Sequence, residues 1–132
     1  MSIFTEDVGR LLALHETKSM TGAYRDRKVS VGLTDDEYVR SEYFGINQVQ
    51  QLLSQPGCTG LRIHHAKRWE DADGKPIEEG QGQLKPRVLL TGVDAKGRDI
   101  ISHPEHTGLK DDGDGNVQTV GDGYTCPRHC PM

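Results

Sequence analysis

Gln55-Pro56-Gly57-Cys58-Thr59-Gly60-Leu61-Arg62-Ile63 decides how the chain is read, because a helix ends in it and a strand begins. Upstream, Ile46, Val49, Leu52 and Leu53 recur at helical spacing and make one apolar face. Pro56-Gly57 then stops the helix, since proline cannot continue it and glycine accepts the left-handed conformation a helix end needs. Downstream, Leu61 and Ile63 alternate with Arg62, which predicts a strand with those two side chains inward. Cys58 falls at the junction, where a cysteine is ordinarily a small buried hydrophobe unless its sulfur has work to do.

Working toward the N-terminus, Val8, Leu11, Leu12 and His15 keep helical spacing, and the pattern predicts a first helix over residues 5–24. Arg25-Asp26-Arg27-Lys28 reads as a solvated charge run, and residues 29–33 as a short strand or an extended link. Thr34-Asp35-Asp36-Glu37 has the form of a capping box and predicts a helix carrying Tyr38, Val39 and Tyr43 on its inner side. Gly45 should break that helix before the segment that begins at Ile46.

Working toward the C-terminus, Arg87-Val88-Leu89-Leu90-Thr91-Gly92-Val93 is the strongest strand, apolar enough to be covered on both faces. Asp94-Ala95-Lys96-Gly97 reads as a tight turn and residues 98–101 as the return strand. Residues 87–93 should therefore lie between residues 59–65 and residues 98–101. The fold class that results is α+β: a small antiparallel β-meander with N-terminal helices packed on one side and an irregular, Gly/Asp-rich C-terminal tail. At 132 residues the chain reads as a single domain, mainly helical over 1–55, a β-meander over 56–101, and an irregular tail over 102–132 that closes in a CPRHCP terminus.

Composition narrows the function. The apolar share is 33% and the aromatic share 5%, so the core is small and metal, covalent links or assembly must add stability. A formal charge of −4 with both signs interspersed is not the footprint of a nucleic-acid binder. No stretch reaches the roughly 20 apolar residues of a membrane span. The first residues lack a basic region followed by an apolar core, so no signal peptide is read and a cytoplasmic location follows. Three cysteines agree, because an odd count is awkward for a secreted disulfide framework.

The chain ends Tyr124-Thr125-Cys126-Pro127-Arg128-His129-Cys130-Pro131-Met132. Thiolate and imidazole are the ligands zinc prefers, and a closed site needs four of them. Cys58, Cys126, Cys130 and His129 are therefore the candidate metal ligands, with zinc the candidate metal and His64 or His65 as alternative nitrogen donors. A Cys126–Cys130 disulfide, or reduced thiols packed against prolines, fits the same residues. The spacing is neither the Cys-x-x-Cys-His of haem attachment nor the Cys-x-x-Cys of thioredoxins. His64 and His65 are adjacent on a strand, so they should point to opposite faces and cannot chelate together. His103-Pro104-Glu105-His106 lacks the order of a metalloprotease helix and reads as a surface loop. Asp112, Asp114 and Asn116 begin like a calcium loop, but Val117 takes the glycine place and Gly123 that of the bidentate glutamate. No nucleophile-elbow, phosphate-loop or dinucleotide signature is present.

Met20-Thr21-x-x-Tyr24-Arg25, Tyr43-Phe44-Gly45, Leu53-x-Gln55-Pro56-Gly57-Cys58-x-Gly60-Leu61-Arg62-Ile63, Gly92-Val93-Asp94-x-x-Gly97-x-Asp99-Ile100 and the closing Cys126-Pro127-x-x-Cys130 together resemble a group of small bacterial proteins. The resemblance runs over nearly the whole chain. It implies that Cys58, Cys126 and Cys130 belong together as a set, and it supplies no activity. Two departures stand out: residues 70–84 are longer than usual, and His64-His65 follow Ile63 where an aromatic residue is common. The expected function is a non-enzymatic structural or interaction protein that associates with itself, with no nucleic-acid or membrane partner. The rival expectation is a zinc-binding or thiol-redox protein that uses the three cysteines.

Overall fold

A computed structural model describes residues 2–102 and 116–131. The fold is α+β, with antiparallel pairing throughout the sheets. The elements in chain order are α1 (Leu14–Ser30), β1 (Ser41–Tyr43), α2 (Ile46–Leu53), β2 (Cys58–Glu70), β3 (Gln83–Asp94), β4 (Ile101–Ser102), β5 (Asn116–Val117), β6 (Thr119–Val120) and β7 (Tyr124–Cys126). They form two compact units, one of Met1–Glu6 with Phe44–Asp122, the other of Asp7–Tyr43 with Gly123–Met132.

The larger unit is built on the β2–β3 hairpin. Its register runs from Glu70 opposite Gln83 to Gly60 opposite Val93, with an irregularity between Cys58 and Gly60. Beta-branched and leucine side chains at 88–90 and 93 favour this long pairing. Leu90, Thr91 and Val93 are buried, as expected for a strand covered on both faces. α2 ends at Leu53, and Gly57, at a φ of 81°, turns the chain into β2 as its position after proline predicted. Of the apolar face on α2, Leu52 is fully buried, Val49 half-buried, and Ile46 and Leu53 exposed. Gly92 lets this helix approach the sheet: a Cβ there would meet the Gln55 amide nitrogen at 2.6 Å and the Leu52 carbonyl oxygen at 3.0 Å.

The neighbours of β3 differ in part from those expected. β2 lies on one side, and β6 takes the other through Leu90 opposite Val120 and Thr91 opposite Thr119. The turn after Asp94 forms as read, with its carboxylate accepting from the amides of Lys96 and Arg98. The return segment pairs with β3 briefly, through the bridge between Val93 and Asp99, the Asp94 amide donating to the Arg98 carbonyl and the Ile100 amide donating to the Gly92 carbonyl, and β4 then pairs with β5. The tail expected to be irregular thus contributes β5, β6 and β7 in its described part. Residues 103–106 and 111–115, which carry the histidine-proline loop and most of the calcium-like loop, lie outside the described residues.

The smaller unit departs further from expectation. The first helix is α1, and residues 5–13 ahead of it are not helical. The Glu16 carboxylate closes its N-terminus by accepting from the Ala13 amide at 3.1 Å and from Arg10 at 2.8 Å. The charge run 25–28 and residues 29–30 belong to this helix rather than to a link. Arginine and lysine are good helix formers, so a solvated charge run and a helix face are compatible. The Thr34–Glu37 contacts form locally, with Glu37 accepting from the Thr34 amide at 3.0 Å and its hydroxyl at 2.9 Å, but no helix follows. Residues 41–43 are instead drawn into β1 by pairing with β7, Ser41 opposite Cys126 and Tyr43 opposite Tyr124. Tyr38 is buried, packs edge-on against Tyr24, and donates to Asp35.

Candidate functional site

The candidate thiols divide between the units. Cys126 and Cys130 are joined in a disulfide with Cα atoms 4.5 Å apart, in the smaller unit. Cys58 is a free, half-buried thiol in the larger unit, where its sulfur lies 3.3 Å from the Gly60 carbonyl oxygen.

The disulfide is presented by a short turn at the end of β7. Antiparallel pairing holds Cys126 against β1, reinforced by the Arg40 amide donating to the Cys126 carbonyl at 2.9 Å. The His129 amide donates to the Thr125 carbonyl at 2.6 Å, which closes the turn and brings Cys130 back over Cys126. The His129 ring stacks on Tyr124, with centroids 4.5 Å apart, so it covers an exposed tyrosine. The two sulfurs have different surroundings. Cys126 is buried, at 4% exposure, whereas Cys130 is half-buried and has the Arg40 guanidinium 3.4 Å from its sulfur. The same arginine lies near Asp35, whose carboxyl is held below its usual range first by the hydrogen bond from Arg25. Burial, followed by the bond to Asp35, raises the Tyr38 hydroxyl.

A second polar cluster sits on the β2–β3 sheet. Asp99 accepts from Arg62 at 2.7 Å and lies 3.0 Å from His64 Nε2, which is also 3.2 Å from the Thr91 hydroxyl. Arg62 further donates to the Gly97 carbonyl at 2.8 Å. His65 is exposed, in keeping with the alternation expected of adjacent strand residues. Arg62 and His64 share a face two residues apart, a signal available from the sequence; Asp99 as their partner depends on the turn geometry and is not. Arg40 beside Cys130 has no signal in the sequence at all.

Among the described residues, no group of three or more His, Cys, Asp or Glu side chains is arranged to hold a metal. In the disulfide form neither Cys126 nor Cys130 can supply a thiolate, the form in which cysteine binds zinc. No helix among the described residues is long and apolar enough to cross a membrane. No protein-family model, curated protein or solved structure matches the chain.

Proposed function

We propose that this protein is a non-enzymatic structural or interaction protein that associates with copies of itself. The observation that carries this reading is the uncovered state of α1 and the segment before it. α1 has 17 residues and none is buried. Leu11, Leu14 and Met20 are 99%, 68% and 64% exposed. Helices of this length are marginal in water without a packed face, so a helix this bare calls for a covering partner. On the sheet, Leu61 and Ile63 add exposed apolar surface along β2, which has β3 on one side and, on the other, only a bridge from Glu70 to Pro76 at its far end among the described residues. Edge strands of this kind template pairing with another chain. The partner in this reading is a second copy rather than nucleic acid or membrane. Light scattering of the full chain tests it: a mass above 14.6 kDa that falls when Leu11, Leu14 and Met20 are replaced by serine is expected. A monomer at high concentration rejects it.

A second reading, as a thiol-redox protein, is favoured by the Cys126–Cys130 disulfide and the cation beside it, with zinc binding as its variant in the reduced chain. We assign the protein to the cytoplasm, where such a bond is transient rather than a permanent staple. Zinc would then compete only for the reduced chain, with Cys126, Cys130 and His129 as the donors to test in the smaller unit. Elemental analysis of reduced protein decides: about one zinc per chain supports the site, and none removes it.

A further inference from the structure

We propose that Cys130 is the exchanging sulfur of a thiol–disulfide centre, with Cys126 as the resolving sulfur and Arg40 as the group that makes Cys130 the site of attack. The inference rests on the thiol-redox reading above and deepens it by assigning the two roles.

Three observations within the smaller unit carry it. Cys126 is buried at 4% exposure, while Cys130 is only half-buried. Cys130 is therefore the more accessible residue of the pair to an incoming sulfur. Access to the sulfur under attack is one determinant of exchange rate. Next, the Arg40 guanidinium is 3.4 Å from Cys130 Sγ. A cation there stabilises negative charge on that sulfur and attracts an anionic partner. Lastly, β1–β7 pairing and the His129–Thr125 bond fix the turn, so the two cysteines stay within reach of each other. Near this end, Arg40 lies beside Cys130 and close to Asp35, which is bonded in turn by Arg25 and Tyr38; Glu42 accepts from the Gly123 amide, and His129 stacks on Tyr124.

The substrate class is a small anionic disulfide of the glutathione type. In the reduced protein the Cys130 thiolate attacks one sulfur of that disulfide. A mixed disulfide forms on Cys130, and one glutathione thiolate leaves. Cys126 then gives its proton to water and its sulfur attacks Cys130 Sγ. This restores the Cys126–Cys130 bond and releases the second glutathione thiolate. Two electrons pass from the protein dithiol to the glutathione disulfide, and the reverse sequence uses two glutathione thiols to reduce the protein.

The test uses the full chain with Cys58→Ser, so that the third thiol is silent. Reduced protein is mixed with oxidised glutathione, quenched in acid and mapped after cleavage at Arg128, which separates the two cysteines. The adduct is expected on the Cys130 peptide. In single-cysteine forms, Cys126→Ser should accept glutathione at least about tenfold faster than Cys130→Ser. Arg40→Ala should slow the reaction about threefold or more, and Arg40→Lys should recover part of the rate, because a retained charge rescues while a merely structural role would not. Adduct on Cys126, or a rate indifferent to Arg40, overturns the assignment and leaves the redox reading standing. A disulfide that never exchanges in a glutathione buffer overturns both.

Discussion

Replacing Leu52 by alanine probes the contact that holds α2 on the sheet. Leu52 is 1% exposed, the one large side chain fully enclosed among the described residues. The substitution removes three carbon atoms, a loss of about 2.4 kcal/mol at about 0.8 kcal/mol per buried carbon. The surrounding backbone relaxes only in part, because Gly92 and Gln55 already pack closely beside this residue. A cavity term therefore adds, which brings the expected cost to about 2–5 kcal/mol. Leu53 is the control: it is next in sequence and 46% exposed. Half-exposed, with no cavity left behind, it should cost about 1 kcal/mol or less on alanine substitution. Urea unfolding followed by the fluorescence of Trp69, the single tryptophan and a β2 residue, reports on the larger unit. At a slope of about 1.5 kcal/mol/M, Leu52→Ala should lower the midpoint by roughly 1.3–3.3 M and Leu53→Ala by under about 0.7 M. Equal shifts for the two variants would refute the helix orientation. A changed slope would instead signal an altered unfolded state.

Two further outcomes are expected. Glu70 is buried at 4% exposure and accepts from both Arg68 and Arg87. Burial alone would raise its pKa, but the two guanidinium groups together outweigh burial and hold it below 4.5. A depressed carboxyl stabilises the fold above its unfolded pKa and loses that contribution as pH falls through the folded value. The urea midpoint should therefore drop on acidification below about 4.5, and Glu70→Gln should flatten that dependence while costing about 3 kcal/mol at pH 7 by leaving Arg87 without its anion; an unchanged pH profile in the variant counts against the network. On the sheet, Asp99→Ala should cost about 1 kcal/mol by removing the anion that Arg62 and His64 share, whereas Ile63→Thr, at a dilution where the chain is monomeric, should leave stability within about 0.5 kcal/mol. The reverse order in the same urea assay would show that the apolar face of β2 is the covered one.

Local signals were sufficient where the structure is local. Pro56-Gly57, the apolar spacing on α2, the long apolar run at 88–90 and the Asp94–Gly97 turn each act over a few residues, and each forms where the sequence predicts it. Residues 34–43 fail for the opposite reason. Their capping contacts are present, but the fate of residues 41–43 is set by β7, more than 80 positions away. The first helix begins later than expected: Val8 and Leu11, which suggested it, stay 74% and 99% exposed, whereas Glu16 supplies an N-terminal cap further on. For the cysteines, spacing alone left metal, disulfide and reduced thiols open, since all three suit a short loop. Only the return of the turn over β7 selects the pairing.

The faces of β2 show why alternation is a weaker guide than it looks. Period two is present, but Leu61 and Ile63 are 39% and 60% exposed, while Arg62 and His64 are half-buried. The polar face is covered because Asp99 meets it with a carboxylate, and a charge pair can be brought partly out of water when its hydrogen bonds are satisfied. The apolar face is left bare because, among the described residues, the larger unit offers one short helix, whose fully buried side chain, Leu52, packs at the Gly92 end of the hairpin. A 13-residue strand is too long for an eight-residue helix to cover: about 43 Å of strand against about 12 Å of helix. The exposed apolar surface on β2 is thus a consequence of element lengths that the sequence itself sets.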